Sequence, residues 1–233
     1  SDVYKRQDSS ALGEEAARTE PLVAHAVIGE ASDRQLYRLR SLFPALMSLS
    51  AKTVVYKGLM LPEQLSGYYR DLADPRYVSA IALVHSRFST NTLPSWRLAH
   101  PFNYLCHNGE INALSGNLNW LAAREEQVAR DLFGSKGREV LPLVRSGRSD
   151  SAHLDEMMSL LLLSGYDMAE AMMLLIPEPW QSGVDGELPA FSDGRQAFYR
   201  YHAPAFEPWD GPAAVCFSDG RYFGAALDRN GLR

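Results

Sequence analysis

The sequence predicts an α+β fold in which helices pack on sheets. Strand-like apolar runs come first, helical patterns fill the middle of the chain, and the pattern of a β-hairpin follows near its end. Of the 233 residues, 46% are hydrophobic and 22% are charged, which is the composition of an ordinary soluble globular protein. The chain is also long enough to bury a substantial core.

The first third of the chain predicts two helices and three strands. The two early strands are joined by a tight turn at Ala51–Lys52, and Pro62 marks the first turn of a helix, where proline is tolerated. The third strand is an apolar run that we expect to be buried. In order, the predicted elements are a helix at 34–42, strands at 45–50 and 53–61, a helix at 61–72 and a strand at 77–88.

The rest of the chain predicts a short strand, a group of helices and a hairpin. Residues 103–109 form the strand, which ends in a glycine turn. Capping residues bound the helices: an Asn and Gly134 for the first, Ser149 or Asp150 and Gly165 for the second. The remaining predictions are helices at 112–134, 149–165, 167–177 and 194–206, a surface loop at 177–193, and a hairpin at 213–228 that turns at Asp219–Gly220.

Composition excludes several classes of function. A net charge of −5 without a Lys/Arg cluster argues against a nucleic-acid partner. No apolar run is long enough to span a bilayer, so we expect no membrane partner. The two cysteines, Cys106 and Cys216, cannot form a disulfide framework, which favours a reducing compartment and a cytoplasmic location.

Three short segments hold most of the chemically interesting side chains. They are HSRFSTNT at 85–92, HNGEIN at 107–112 and RSGRSDSAHLD at 145–155. Each follows a predicted strand or precedes a predicted helix, where rigid scaffolds commonly present functional groups. Together they offer a guanidinium, a carboxamide beside a glycine amide, and a carboxylate, a set that complements an α-amino acid with a reactive carbonyl.

These segments carry a family resemblance. With VYKGLMLPEQL, MMLLIPEPW and EPWDGPAAVCFSDGRYFGAALDRNGLR, they resemble the glutaminase domain of glutamate synthase large subunits from about Arg34 to Arg233. That domain is a class II glutamine amidotransferase. The resemblance implies a four-layer αββα sandwich of the N-terminal-nucleophile hydrolase type, and an activity that hydrolyses L-glutamine to glutamate and ammonia for the reductive amination of 2-oxoglutarate elsewhere in the enzyme.

The resemblance also implies roles for individual residues. Asn108 and Gly109 would form the oxyanion hole, and Arg87 would bind the α-carboxylate of glutamine through its planar fork. Asp150 would take the α-ammonium group. Phe88 and Thr90 match positions that line the glutamine pocket, whereas Asn91 stands where other members of the class often have His.

The nucleophile implied by the resemblance is a cysteine at the mature N-terminus, with its own α-amine as base. This sequence begins with Ser1 in a segment unlike the family's opening. We therefore expect a piece truncated at both ends and inactive by itself. Its predicted organisation is a poorly defined segment at 1–33, in which 1–7 is a candidate cloning or assembly artefact, and a partial amidotransferase domain at 34–233.

The resemblance places the cofactors and further partners outside these residues. FMN and an iron–sulfur cluster are expected in other parts of the parent enzyme, and none in this piece. Besides L-glutamine, the expected partners are the synthase domains of the same chain, with a small subunit or ferredoxin supplying electrons.

Alternative interpretations of these residues stay open. Cys106 and His107 are adjacent, but neighbours in a strand point to opposite faces, so we expect a structural cysteine rather than a nucleophile–base pair. The histidines at 85, 100 and 107 fit no standard metal motif. The protein as a whole could instead be the amidotransferase domain of another class II enzyme, or a degenerate glutamine-binding or scaffold domain without catalysis.

Overall fold

The computed structural model describes residues 30–86, 97–181 and 193–232, and within them helices pack against one antiparallel sheet. The predicted α+β class is therefore confirmed. The helices are α1 (Glu30–Leu42), α2 (Leu65–Tyr68), α3 (Leu114–Phe133), α4 (Asp150–Leu163), α5 (Met168–Leu175) and α6 (Asp193–His202), and the strands are β1 (Leu105–Gly109), β2 (Ala213–Ser218) and β3 (Phe223–Leu227).

Capping chemistry sets the ends of the central helices largely as predicted. Ser149 is the N-cap of α4, and its hydroxyl accepts a hydrogen bond from the Ala152 amide at 3.2 Å. Helix α5 begins with a capping box between Asp167 and Glu170. Gly134 follows the last residue of α3 with a φ of +56°, a conformation that favours glycine.

The predicted asparagine cap of α3 is wrong. The N-cap is Ala113, and it makes no side-chain hydrogen bond. Instead, the backbone amides of Asn112 and Ala113 donate to the carbonyl of Asp210, at 2.7 and 3.2 Å. A distant loop thus holds the backbone that leads into the helix, and nothing in the sequence near Asn112 indicates this.

The sheet has the order β1-β2-β3 and is antiparallel throughout. One face packs on the helices and carries the buried side chains of Leu105, Val215 and Phe217. On the opposite face, β3 exposes 58% of Phe223 and 62% of Leu227. Among the described residues, this second face is therefore uncovered along β3.

Helix α4 is the centre of the core. Every side chain from Ser151 to Leu161 is buried, including those of Asp155 and Glu156. A helix that is buried on all sides packs against neighbours in every direction, and here these include α1, α5 and β1. This position makes α4 the element that can reach β1 with its polar side chains.

The three early strand predictions are wrong for the described residues. Residues 45–60 form turns and irregular backbone, and 77–86 are irregular with Val78 and Val84 exposed at 86% and 80%. A strand needs a hydrogen-bonded partner, and no partner strand lies beside them in the described parts of the chain. Residues 87 and 88 of the third prediction lie outside the described residues.

The helix predicted at 61–72 is present but broken. Pro62–Gln64 and Arg70–Ala73 are 3₁₀ turns on either side of the four-residue α2. Nowhere in the described chain is a helix both long and apolar enough to cross a membrane.

Candidate functional site

Gly109, the last residue of β1, has a conformation that requires glycine. Its φ is +142°, and a Cβ at this position would lie 1.8 Å from the carbonyl oxygen of Pro212. The next residue, Glu110, donates its amide to that same oxygen at 2.9 Å. The predicted glycine turn is therefore confirmed, and the group that excludes a side chain at Gly109 is the backbone leading into β2.

The register of β1 determines where its amides point. Ser218 donates to the carbonyl of Tyr104 at 2.8 Å, and Glu110 donates to that of Pro212, so residues 104, 106, 108 and 110 share hydrogen bonds with β2. In an antiparallel pair the intervening residues direct their amides the other way. The Gly109 amide therefore points away from β2, toward the edge of the sheet as the described residues form it.

Helix α4 brings the Asp150 carboxylate to this same end of β1. Its Oδ2 accepts the Ile111 amide at 2.8 Å, and its Oδ1 accepts the amide and the hydroxyl of Ser151 at 2.6 and 3.0 Å. A carboxylate can accept about four hydrogen bonds in all. Asp150 is therefore bound to Ile111, two residues after Gly109 in the sequence. About one acceptor position of its carboxylate is left for a ligand.

A second carboxylate of α4 holds the other end of β1. Buried Asp155 accepts the amides of Asn103, Tyr104 and Leu105 at 3.2, 2.8 and 3.3 Å, and the Asn103 side chain at 2.9 Å. Burial raises the pKa of the Asp155 carboxyl, and the hydrogen bonds from Tyr104 and Asn103 only partly offset this. Asp155 belongs to no motif that predicted a role for it, although a carboxylate inside an apolar helix indicates a buried polar contact.

Three histidines lie close together beside this strand. The rings of His85 and His100 stack at a centroid distance of 4.5 Å, and those of His100 and His107 are 6.3 Å apart. Burial and the neighbouring His85 lower the pKa of His100 to about 3, so it is neutral at physiological pH. Among the described residues, no group of three or more His, Cys, Asp or Glu is placed to hold a metal ion.

Cys106 is placed as a structural residue. It is buried and lies directly opposite Cys216 in the β1–β2 register. Burial and the neighbouring Cys216 thiol raise the pKa of Cys106 to about 11, so it is protonated at neutral pH. A thiolate is the reactive form of cysteine, and the alternation of β1 directs the His107 side chain to the other face of the sheet.

Three groups were predicted to form the site: the Arg87 guanidinium, the amides of Asn108 and Gly109, and the Asp150 carboxylate. The structure brings the second and third of these together. Asn108 and Gly109 end β1, and Asp150 is hydrogen-bonded to the turn that follows them. The Asn108 side chain is exposed. The predicted substrate-binding residues Arg87, Phe88 and Thr90, together with Asn91, lie outside the described residues.

Comparison with known proteins shows the family of the chain. Residues 5–233 match the family described as glutamine amidotransferases class-II. The chain belongs to this family. The glutamate synthase [NADPH] large chain of Bacillus subtilis is 45% identical over 240 residues, which are 95% of this chain and 16% of the relative.

Two further glutamate synthases show the same relationship. The NADH enzyme of Schizosaccharomyces pombe is 45% identical over 97% of this chain and 12% of its own length. The ferredoxin-dependent enzyme of Antithamnion sp. is 40% identical over 97% of this chain and 16% of its own length. The chain thus spans 12–16% of the length of these relatives, whose names give three different electron donors.

Proposed function

We propose that this class II amidotransferase domain supplies ammonia within a glutamate synthase. It binds L-glutamine, hydrolyses the side-chain amide to release glutamate, and passes the ammonia to a synthase domain, where 2-oxoglutarate is reductively aminated. The observation that carries the proposal is that the chain matches class II amidotransferases and glutamate synthases along almost its whole length. The meeting of Asp150 with the Asn108–Gly109 turn supports it.

In the proposed mechanism, Asn108 and Gly109 stabilise the tetrahedral intermediate. The Asn108 side-chain amide and the Gly109 backbone amide donate to the oxygen that becomes negatively charged when the amide carbon is attacked. One such donor contributes about 10²–10³ to kcat, or roughly 3–4 kcal/mol. The support is that Gly109 lies in the edge strand of the described sheet with its amide directed away from β2.

The amino-acid end of glutamine is held by opposite charges. Arg87 pairs with the α-carboxylate, because its planar guanidinium suits bidentate binding. Asp150 accepts the α-ammonium with the carboxylate lone pair that the Ile111 amide and the Ser151 amide and hydroxyl do not use. Phe88 and Thr90 line the pocket.

The proposed nucleophile is a cysteine at a mature N-terminus, whose α-amine acts as base and which forms a γ-glutamyl thioester. Neither cysteine in this sequence occupies such a position, and the raised pKa of Cys106 makes it a poor substitute. We infer that the 233 residues alone do not hydrolyse glutamine.

We also propose the four-layer αββα architecture for the complete domain. Its second sheet packs on the face of the described sheet that exposes Phe223 and Leu227. The two sheets would pack about 10 Å apart, with the side chains of their facing surfaces interdigitated. This arrangement accounts for the large apolar side chains on that face.

The cofactors of the proposed parent enzyme lie outside this chain. An iron–sulfur cluster of the ordinary kind needs four cysteines, and this sequence has two, so its residues do not fit one. FMN and the site of electron entry, from a small subunit or ferredoxin, are likewise assigned to other parts of the parent, and the location of that parent is proposed to be cytoplasmic.

The proposal is tested by measuring glutamate release from L-glutamine by two proteins. One is the 233-residue chain, and the other is the chain extended upstream through its native coding sequence to a mature N-terminal cysteine. We expect release only from the extended protein, and its loss when that cysteine is replaced by alanine. Equal release from both proteins would refute the nucleophile assignment, and an upstream sequence without such a cysteine would favour a degenerate domain.

A further inference from the structure

A cavity of about 100 Å³ lies between α1, α4 and the backbone before β1, away from the Asn108–Gly109 turn. One water needs about 10–15 Å³ of such volume, so the cavity has room for several waters or a small anion. Its walls carry five cationic and two acidic side chains. They are Arg40, Lys57, Arg97, Arg145 and Arg148, with Asp155 and Glu156.

Both acids of the cavity are already engaged by other groups. The oxygens of Asp155 accept the four donors of residues 103–105 that hold β1. Glu156 pairs with Arg148 at 2.5 Å and also accepts the hydroxyl of Tyr37. Burial raises the pKa of the Glu156 carboxyl, but the guanidinium of Arg148 and the Tyr37 hydroxyl outweigh this and keep it low.

The other four cations have no carboxylate partner within the described chain. Arg40 donates to the Leu49 carbonyl and the Asn103 side chain, and Arg97 to the Pro44 carbonyl. Arg145 donates to the carbonyls of residues 142 and 140 at 3.3 and 3.5 Å. These neutral acceptors leave positive charge facing the cavity.

Lys57 is the decisive side chain. It is only 6% exposed, and across residues 30–86, 97–181 and 193–232 its ammonium donates no hydrogen bond and forms no ion pair. Its nearest partner is the ring of Phe102, with Nζ 5.2 Å from the centroid. Burial lowers the pKa of Lys57 to about 8, and the negative charge of Asp155 offsets this only in part.

An ammonium that faces a cavity, with no hydrogen-bond acceptor among the described residues, takes water or an anion as its acceptor. We propose that this cavity binds a small oxyanion, a carboxylate or a phosphate, whose oxygens pair with Lys57 and Arg145. Arginine forks suit either group, since both present two oxygens to one guanidinium. Of the proposed glutamine-site residues that the structure describes, none of Asn108, Gly109 and Asp150 lines this cavity.

The test is calorimetric titration of the 233-residue chain with sodium phosphate, L-glutamate and 2-oxoglutarate, against sodium chloride at matched ionic strength. We expect saturable binding of at least one oxyanion. Binding of phosphate alone identifies a phosphate site, and binding of either organic acid identifies a carboxylate site. The glutamine site proposed above would also take L-glutamate, so L-glutamate binding supports the oxyanion site only where the cavity variants below weaken it. Phosphate and 2-oxoglutarate lack the α-ammonium that Asp150 would hold, so their binding is independent of the proposed function.

Variants locate the bound anion. Lys57→Met and Arg145→Gln should each weaken binding about tenfold, since a charge-assisted hydrogen bond contributes about 1.5 kcal/mol or more. Lys52→Met and Arg221→Gln remove like charges from exposed positions outside the cavity and should change the affinity less than about twofold.

Folding of the variants is checked by urea unfolding without added anion. Lys57→Met should be at least as stable as the parent there, because methionine removes an uncompensated buried charge, but phosphate or the organic acids should no longer stabilise it. Absence of saturable binding, or binding that Lys57→Met and Arg145→Gln leave unchanged, overturns the proposal.

Discussion

At the scale of single residues, the site depends on two backbone amides and one carboxylate. Gly109 directs its amide to the sheet edge, and Asp150 accepts the neighbouring amide of Ile111 at 2.8 Å. These contacts fix the positions of groups that the proposed reaction needs as donor and as ammonium acceptor. The thiol of Cys106, although close in sequence, takes no part because it is buried and protonated.

Asn108→Ala, in the upstream-extended protein, should lower kcat for glutamine hydrolysis by about 10²–10³ with little change in KM, since an oxyanion donor acts in the transition state. Arg87→Ala should mainly raise KM, because it removes a contact made to the substrate throughout. Cys106→Ala is the control and should leave both parameters close to those of the parent. Steady-state kinetics would contradict these roles if the two site variants changed kcat and KM alike.

Gly109→Ala should destabilise the 233-residue chain by about 2–4 kcal/mol, from backbone strain at φ +142° and the clash with the Pro212 carbonyl. Urea unfolding measures the effect. Gly116→Ala is the matched control: a Cβ there meets no atom within 4 Å, so in the helix it should stabilise by about 0.5–1 kcal/mol. A similar loss of stability in both variants would show that the Gly109 conformation is not the cause.

At the scale of elements, α4 and β1 form one unit. Two carboxylates of the helix, five positions apart, hold the strand at its two ends, at Ile111 and at residues 103–105. The strand is thereby held against the helix by polar contacts in addition to its apolar face. Any change that moves α4 also moves the proposed oxyanion hole.

Asp155→Ala should destabilise the chain by about 3–5 kcal/mol, because it leaves several buried amides without acceptors. Asp155→Asn should fall between this variant and the parent, since it keeps one acceptor oxygen. Asp131→Ala, on the exposed surface of α3, should change stability by less than about 0.5 kcal/mol. Urea unfolding compares the three, and equal stability of Asp155→Ala and the parent would show that α4 does not hold β1 through this carboxylate.

Helices were more predictable than strands. The capping residue Ser149 and the terminal Gly134 act locally, so their sequence positions located the helix ends. The strands predicted at 45–50, 53–61 and 77–86 failed because a strand requires a partner that can lie anywhere in the chain. Residues 48 and 55 instead bond to each other, with the Val55 amide donating to the Ser48 hydroxyl at 2.9 Å.

At the scale of the whole molecule, buried histidines make stability depend on pH. Burial and the neighbouring Arg148 lower the pKa of His153 to about 4, and that of His100 is about 3. In the unfolded chain both take up protons near pH 6.5. Between the folded pKa of each histidine and pH 6.5, the unfolded state binds more protons than the folded state. The contribution of each neutral histidine to the free energy of unfolding is therefore complete above pH 6.5 and decreases as pH falls below it.

The free energy of unfolding should therefore fall by about 1–2 kcal/mol per histidine between pH 7.5 and pH 5. Urea unfolding at a series of pH values measures this decrease. His153→Gln should reduce the slope by removing one of the two groups, whatever its effect on absolute stability. An unchanged slope in this variant would show that His153 is not protected from protonation in the fold.

The sequence by itself determined the family, the helices, the terminal hairpin and the glycine turn at 109, because each depends on motifs or on neighbours a few residues apart. Only the tertiary structure decided that Asp150 meets Ile111 across 39 positions and Asp155 meets Tyr104 across 51. It likewise decided that Lys57 is buried near Arg40, Arg97 and Arg145, which have no carboxylate partner among the described residues. Such contacts depend on how elements pack, and no local pattern of residues encodes which distant group will satisfy a buried charge.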